Sequence, residues 1–155
     1  MENIKKYLNT DFYKTVGFYL TAASVLFSLI GGIVYAVCFQ REFLVGYYTP
    51  TVLVLPIVSL ILTAAMLAFK PTAAYAPVVG WGFSFAAFLA FAGTSYMYLS
   101  GVFYNGISAE AFALMDSAYM FVAVVLLISS ILGNIAMWFK QSNEKSETSL
   151  EEAAV

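Results

Sequence analysis

Four long runs of apolar residues, at positions 15–39, 51–69, 78–101 and 117–139, alternate with short stretches in which polar side chains collect. Each run is 19 to 25 residues long and holds no Asp, Glu, Lys or Arg. At about 1.5 Å of rise per residue, a helix of that length crosses a hydrocarbon layer about 30 Å thick. The pattern predicts an all-α integral membrane protein, with four transmembrane helices in an up-down bundle. Residues 15–140 form this transmembrane domain, flanked by an interfacial segment at 1–14 and an acidic tail at 141–155.

Small residues recur every four positions inside the runs. Ser24, Ser28, Gly32 and Ala36 line one side of the first helix, Gly82, Ala86, Ala90 and Thr94 one side of the third, and Ser129 and Gly133 one side of the fourth. Such stripes let helix backbones approach closely where lipid offers no hydrophobic drive to associate. They are expected to pack the four helices together, with docking of another membrane protein as the alternative use. Asn134, about 9 Å from Lys140 by helical rise, is expected to bond to a neighbouring helix.

Breakers and caps mark the boundaries. Pro50 suits the first turn of the second helix, Pro56 should kink it and free the carbonyl near Val52, and Lys70-Pro71 should end it. Beside Pro56 either a packing kink or a small cavity is expected. Asn105-Gly106 signals a turn, Ser108 can cap a short helix carrying Glu110 in its first turn, and Asp116 can cap the fourth span. In the first segment Ile4, Tyr7, Leu8 and Phe12 make an apolar stripe beside Lys5 and Lys6, as on an interfacial helix. The tail carries Glu144, Glu147, Glu151 and Glu152 against Lys145, a composition expected to be disordered.

Composition sharpens this picture. Apolar residues make up 62% of the chain and charged ones 10%, against about 45–50% and about 25% in soluble domains. The basic residues also choose an orientation. Lys5, Lys6, Lys14, Lys70, Lys140 and Lys145 fall on one side of the spans, and Arg41 alone on the other. By the positive-inside rule both termini are cytoplasmic, in a cell membrane of bacterial inner-membrane type. The first span is too long for a signal-peptide core, and Tyr35-Ala36-Val37-Cys38 lacks the small residue expected before a lipoprotein cysteine, so it should be retained.

The available chemistry is sparse. There is no histidine, and one cysteine, Cys38, which reads as a small apolar residue near a helix end. No cofactor and no metal site are expected, and no basic stretch suits nucleic acid. Glu110 and Asp116 are six apart, on different faces of any shared helix, so a carboxylate pair for catalysis is not expected. The outward side is rich in aromatics. Arg41, Glu42, Tyr47, Tyr48, Tyr96, Tyr98, Asn105, Glu110 and Asp116 are the candidate ligand or partner contacts there, although an aromatic belt accounts for many of the rings.

Length and span count are loosely similar to the small multidrug exporters, which use a glutamate in the first span. Here that span offers Thr21, Ser24 and Ser28, a departure that puts the ion-coupled activity in doubt. A possible duplication pairs the end of the second span, Ser59 to Met66, with that of the fourth, Ser130 to Met137, and Gly32-x-x-Tyr35 with Gly93-x-x-Tyr96. The expected role is a small non-catalytic accessory or interaction subunit of a membrane complex, its partners being the lipid bilayer and other membrane proteins or further copies of itself. The alternative is a small oligomeric transporter or channel for a neutral or apolar solute.

Overall fold

The computed structural model describes residues 12–40 and 45–141. The interfacial stripe around Ile4 to Leu8, the Arg41-Glu42 pair and the acidic stretch after Gln141 lie outside the described residues. Within them run six helices: α1 (Val16–Cys38), α2 (Thr51–Ala68), α3 (Lys70–Ala73), α4 (Ala76–Val102), α5 (Ala109–Ala113) and α6 (Ser117–Ala136). Short 3₁₀ turns occupy Phe12–Lys14 and Val45–Tyr47. Four of the helices, α1, α2, α4 and α6, are long and apolar enough to cross a membrane, with mean hydropathies of 2.0, 2.5, 1.5 and 2.2.

These four form a ring in the order α1, α2, α4, α6. The α1–α6 face is the most extensive, and α1 also touches α4 across the narrower diagonal. Gly17, at the start of α1, lies against Lys140 and Gln141, just after α6. That end is called the terminal end below, and the opposite one the distal end.

Burial runs opposite to that of a soluble bundle. The hydroxyl-bearing Thr21, Ser24, Ser28, Ser59, Ser84, Ser95 and Ser129 are at most 1% exposed, whereas Leu26, Ile33, Val37, Ile61, Leu89 and Ile131 are about half exposed or more. Water around such a surface would leave its large apolar side chains solvated and unburied. Hydrocarbon reverses that balance and favours small residues at helix contacts. The chain is a multi-pass, all-α membrane protein.

Helix ends follow local chemistry. Thr15 Oγ1 accepts the Phe18 N–H at 3.3 Å to cap α1, and Ser108 Oγ accepts the Ala111 N–H at 3.1 Å to cap α5. Asp116 Oδ1 takes the Ala118 and Tyr119 N–H groups at 2.8 and 3.4 Å, so α6 starts afresh after α5 rather than continuing from it. Gly106, at φ 102°, makes the turn that an L side chain would strain. At the other end Phe69 is extended and Pro71 opens α3, while the Thr72 hydroxyl donates to the Met66 carbonyl at 2.9 Å. That carbonyl, in the last turn of α2, also accepts the Phe69 N–H at 3.3 Å.

Pro56 is buried inside α2. Its ring removes the donor that the Val52 carbonyl would otherwise meet, and α1 closes over that point at Gly32. A Cβ on Gly32 would sit 3.1 Å from Val52 O and 3.4 Å from Pro56 Cγ. Of the two expectations for Pro56, the structure shows close helix packing. The proposed duplication fits less well, because Gly32 and Tyr35 are buried while Gly93 and Tyr96 are exposed.

Two packing assignments need correction. On α4 the inward seam is Gly80, Ser84, Ala87, Phe91 and Ser95, all buried, whereas Gly82, Ala86 and Ala90 are partly exposed. Gly80 and Gly82 differ by two residues, or about 200° of rotation, which puts them on opposite faces. Asn134 is exposed and its side chain makes no hydrogen bond to another helix, because the inward positions of α6 are Ser129, Ser130, Gly133 and Ala136. One residue beyond Gly133 turns the amide about 100° away from the seam.

Candidate functional site

At the distal end an aromatic cluster fills the ring. Tyr35, Phe39, Phe91 and Tyr119 are at most 4% exposed, with centroid distances of 4.5 Å for Tyr35–Phe39, 5.8 Å for Tyr35–Phe91 and 5.1 Å for Phe91–Tyr119. Rings at these separations gain from edge and offset contacts beyond their buried area. Two tyrosine hydroxyls then reach out of the cluster to hold the connecting segments. The Tyr35 hydroxyl donates to the Tyr47 carbonyl at 2.9 Å and accepts the Thr49 N–H at 2.7 Å. Tyr98 accepts the Asp116 N–H at 2.8 Å.

This geometry divides the candidate contact residues. Tyr47, Tyr48 and Tyr98 are half-buried against the cluster, with Tyr48 stacked on Tyr35 at 5.4 Å and Tyr47 edge-on to Tyr98 at 5.9 Å. Asp116 is spent on capping α6. Tyr96, Asn105 and Glu110 are exposed, and no hydrogen bond or ring contact draws them together. Arg41 and Glu42 lie outside the described residues. Four of the nine candidates therefore hold loops in place, a role visible once Tyr35 and Tyr98 are seen facing backbone groups far along the chain.

The terminal half uses small residues instead. Ser24 and Ser129 exchange hydrogen bonds, each hydroxyl donating to the other's carbonyl, at 2.8 and 2.7 Å. Gly133 makes that approach possible, since a Cβ there would lie 2.7 Å from Ser24 Oγ and 3.1 Å from Trp81 Cα. Ser28 continues the α1 seam and is fully buried, and buried Gly32 carries the seam into the distal half. Ser59 donates weakly to the Gly80 carbonyl at 3.5 Å.

Gln141 closes this end and corrects the expected start of the tail. It is 4% exposed, its amide donates to the Ala136 and Phe139 carbonyls at 3.2 and 3.3 Å, and its oxygen accepts the Thr21 hydroxyl at 3.4 Å. A polar residue followed by acidic ones carries no signal of this contact, which depends on Gly17 leaving room on α1.

Two features of the surface have no internal use. On α4, Gly82, Ala86 and Gly93 share the face opposite the seam, and a Cβ on Gly82 or Gly93 would meet nothing within 4 Å. Between α1 and α2 an apolar cleft opens sideways near the terminal end, with Thr63 in its wall. Among the described residues no group of three or more acidic, histidine or cysteine side chains is placed to hold a metal ion. Comparison with protein families, with curated proteins and with solved structures finds no match to this chain.

Proposed function

We propose that the chain is a non-catalytic accessory or interaction subunit of a membrane complex, docking to a partner membrane helix through the outward face of α4. The observation that carries this reading is the open glycine pair. Gly82 and Gly93 bring no packing within the bundle, and a lipid-facing glycine costs about 1 kcal/mol of helix propensity against alanine. A second helix approaching Gly82, Ala86 and Gly93 would use the missing side chains, as small-x-x-x-small faces do. The inward seams are already filled, by Gly133 against Ser24 and by Gly32 against Val52. Lys14, Lys70 and Lys140 gather at the terminal end, which on this reading faces the cytoplasm of a bacterial cell.

The test is mild extraction followed by native mass measurement. Wild-type protein should travel with a partner or a second copy, and Gly82→Leu with Gly93→Leu should release it while the isolated bundle unfolds at or above the wild-type temperature. A wild-type chain that is always single and unaccompanied overturns the proposal.

A second reading, a small oligomeric transporter for a neutral or apolar solute, is favoured by three buried hydroxyls, Ser28, Ser84 and Ser95, that have no hydrogen-bond partner. Solute flux into reconstituted vesicles, reduced by Ser28→Ala or Ser84→Ala, would separate it from the first.

A further inference from the structure

The entry to α1 and the exit from α6 meet at the terminal end and leave a cavity between them. Gly17, in the first turn of α1, has no side chain, and a Cβ there would run into the Lys140 carbonyl and the Gln141 amide. That close approach brings Lys14 and Lys140 to one space. It measures about 270 Å³ and is lined by Lys14, Thr15, Val16, Gly17, Phe139 and Lys140. Its depth in the bilayer follows from α6. The 20 residues from Ser117 to Ala136 cover about 30 Å, one hydrocarbon thickness, and the span is bracketed by Asp116 and Lys140, charges that belong outside hydrocarbon. Phe139 and Lys140 follow just after the helix, so the cavity lies at the level of lipid headgroups. Its charge is of one sign. Among the described residues the acidic side chains are Glu110 and Asp116, both at the distal end, while Lys14 and Lys140 are exposed. An ammonium carries three donors, so one already in contact with its own chain, as Lys14 is with the Tyr13 ring at 5.6 Å, can hold a ligand oxygen as well.

We propose that this cavity holds the phosphate of an anionic phospholipid between the Lys14 and Lys140 ammonium groups, with the glycerol and first chain carbons against Val16 and Phe139. Three properties select this class. Two cations beside one space outweigh a single phosphate charge, so a headgroup that keeps its negative charge is favoured over one that cancels it with its own choline. Val16 and Phe139 are 60% and 44% exposed, an apolar rim that a soluble phosphate would leave uncovered. The volume, at about 30 Å³ for each water-sized group, admits a phosphodiester and the carbons on either side of it. This site is separate from the α4 face and stands whether or not a partner docks there.

Lipid retention, read by native mass measurement, tests it. Full-length protein in mild detergent is titrated with phosphatidylglycerol and with phosphatidylcholine of the same chains. One phosphatidylglycerol should be held about 25-fold more strongly, about five-fold for each lysine. Lys140→Gln should lose about five-fold of that preference, and Lys14→Gln with Lys140→Gln should bring the two lipids to near parity. Lys14→Arg with Lys140→Arg keeps both charges and should keep the preference. Lys70→Gln removes a charge at the same end but outside the cavity, and should leave the preference nearly unchanged. Inorganic phosphate in large excess should not displace the lipid. Equal retention of the two lipids by the wild type, a preference that survives in the folded double glutamine variant, a loss on Lys70→Gln as large as on Lys140→Gln, or displacement by inorganic phosphate would overturn the proposal.

Discussion

The two ends of the bundle hold together by opposite means. At the distal end large rings, Tyr35, Phe39, Phe91 and Tyr119, fill the space between helices, and hydroxyls at the rim tie down the connecting segments. At the terminal end Gly133, Ser24 and Ser129 bring helix backbones nearly into contact, and the bonds run from hydroxyl to carbonyl across the α1–α6 seam. Lipid supplies little drive for either arrangement, so both rely on dispersion contacts and interhelical hydrogen bonds. They should nevertheless fail differently. A ring-filled end is weakened by removing atoms, and a glycine-filled end by adding them.

The largest expected effect comes from removing atoms at the distal end. Phe91→Ala should lower stability by about 3–5 kcal/mol, the range for truncating a buried ring, as measured by equilibrium unfolding in mixed micelles. A loss below about 1 kcal/mol would mean the cluster is not the distal core. Next is addition at the seam: Gly133→Val should cost about 1–3 kcal/mol, because Trp81 Cα is backbone and cannot turn aside. The same change at Gly82, on the open face, should shift stability by less than about 0.5 kcal/mol. Equal effects at the two glycines would break the comparison outright.

Smaller effects sharpen it. Tyr35→Phe keeps the ring but strands the Thr49 N–H and the Tyr47 carbonyl, and should cost about 1–2 kcal/mol. Faster backbone hydrogen exchange at Thr49 would report the loosened segment, and unchanged exchange would show that the hydroxyl is not what holds it. Ser24→Ala should cost about 0.6 kcal/mol, typical of interhelical side-chain bonds in membranes. Because Ser24 and Ser129 form one reciprocal pair, the double variant with Ser129→Ala should cost less than the sum of the single ones, by a double-mutant cycle.

Span number and helix ends were legible in the chain because both depend on neighbours in sequence. An uncharged run of 19 to 25 residues carries its preference for hydrocarbon wherever it is placed, and Ser108 and Asp116 cap helices by reaching N–H groups two or three residues away. The seams of α1 and α6 were also readable, since Ser24, Ser28, Gly32, Ser129 and Gly133 stand out among larger apolar neighbours.

Rotation about each axis was decided by the tertiary structure. In α4 small residues occur on every side, so nothing local separates the inward Gly80 and Ser84 from the outward Gly82 and Ala86. The contact of Gly80 with Thr63 and Val25 makes that choice. Asn134 is exposed because the inward seam places Gly133, not its neighbour, against Ser24 and Trp81. The anchoring roles of Tyr35 and Tyr98, the burial of Gln141 and the cleft beside Thr63 likewise arise between segments far apart in the chain. Hydropathy along one chain records whether a stretch prefers lipid to water; which side of that stretch meets another helix depends on the shape of the other helix, which no local pattern contains.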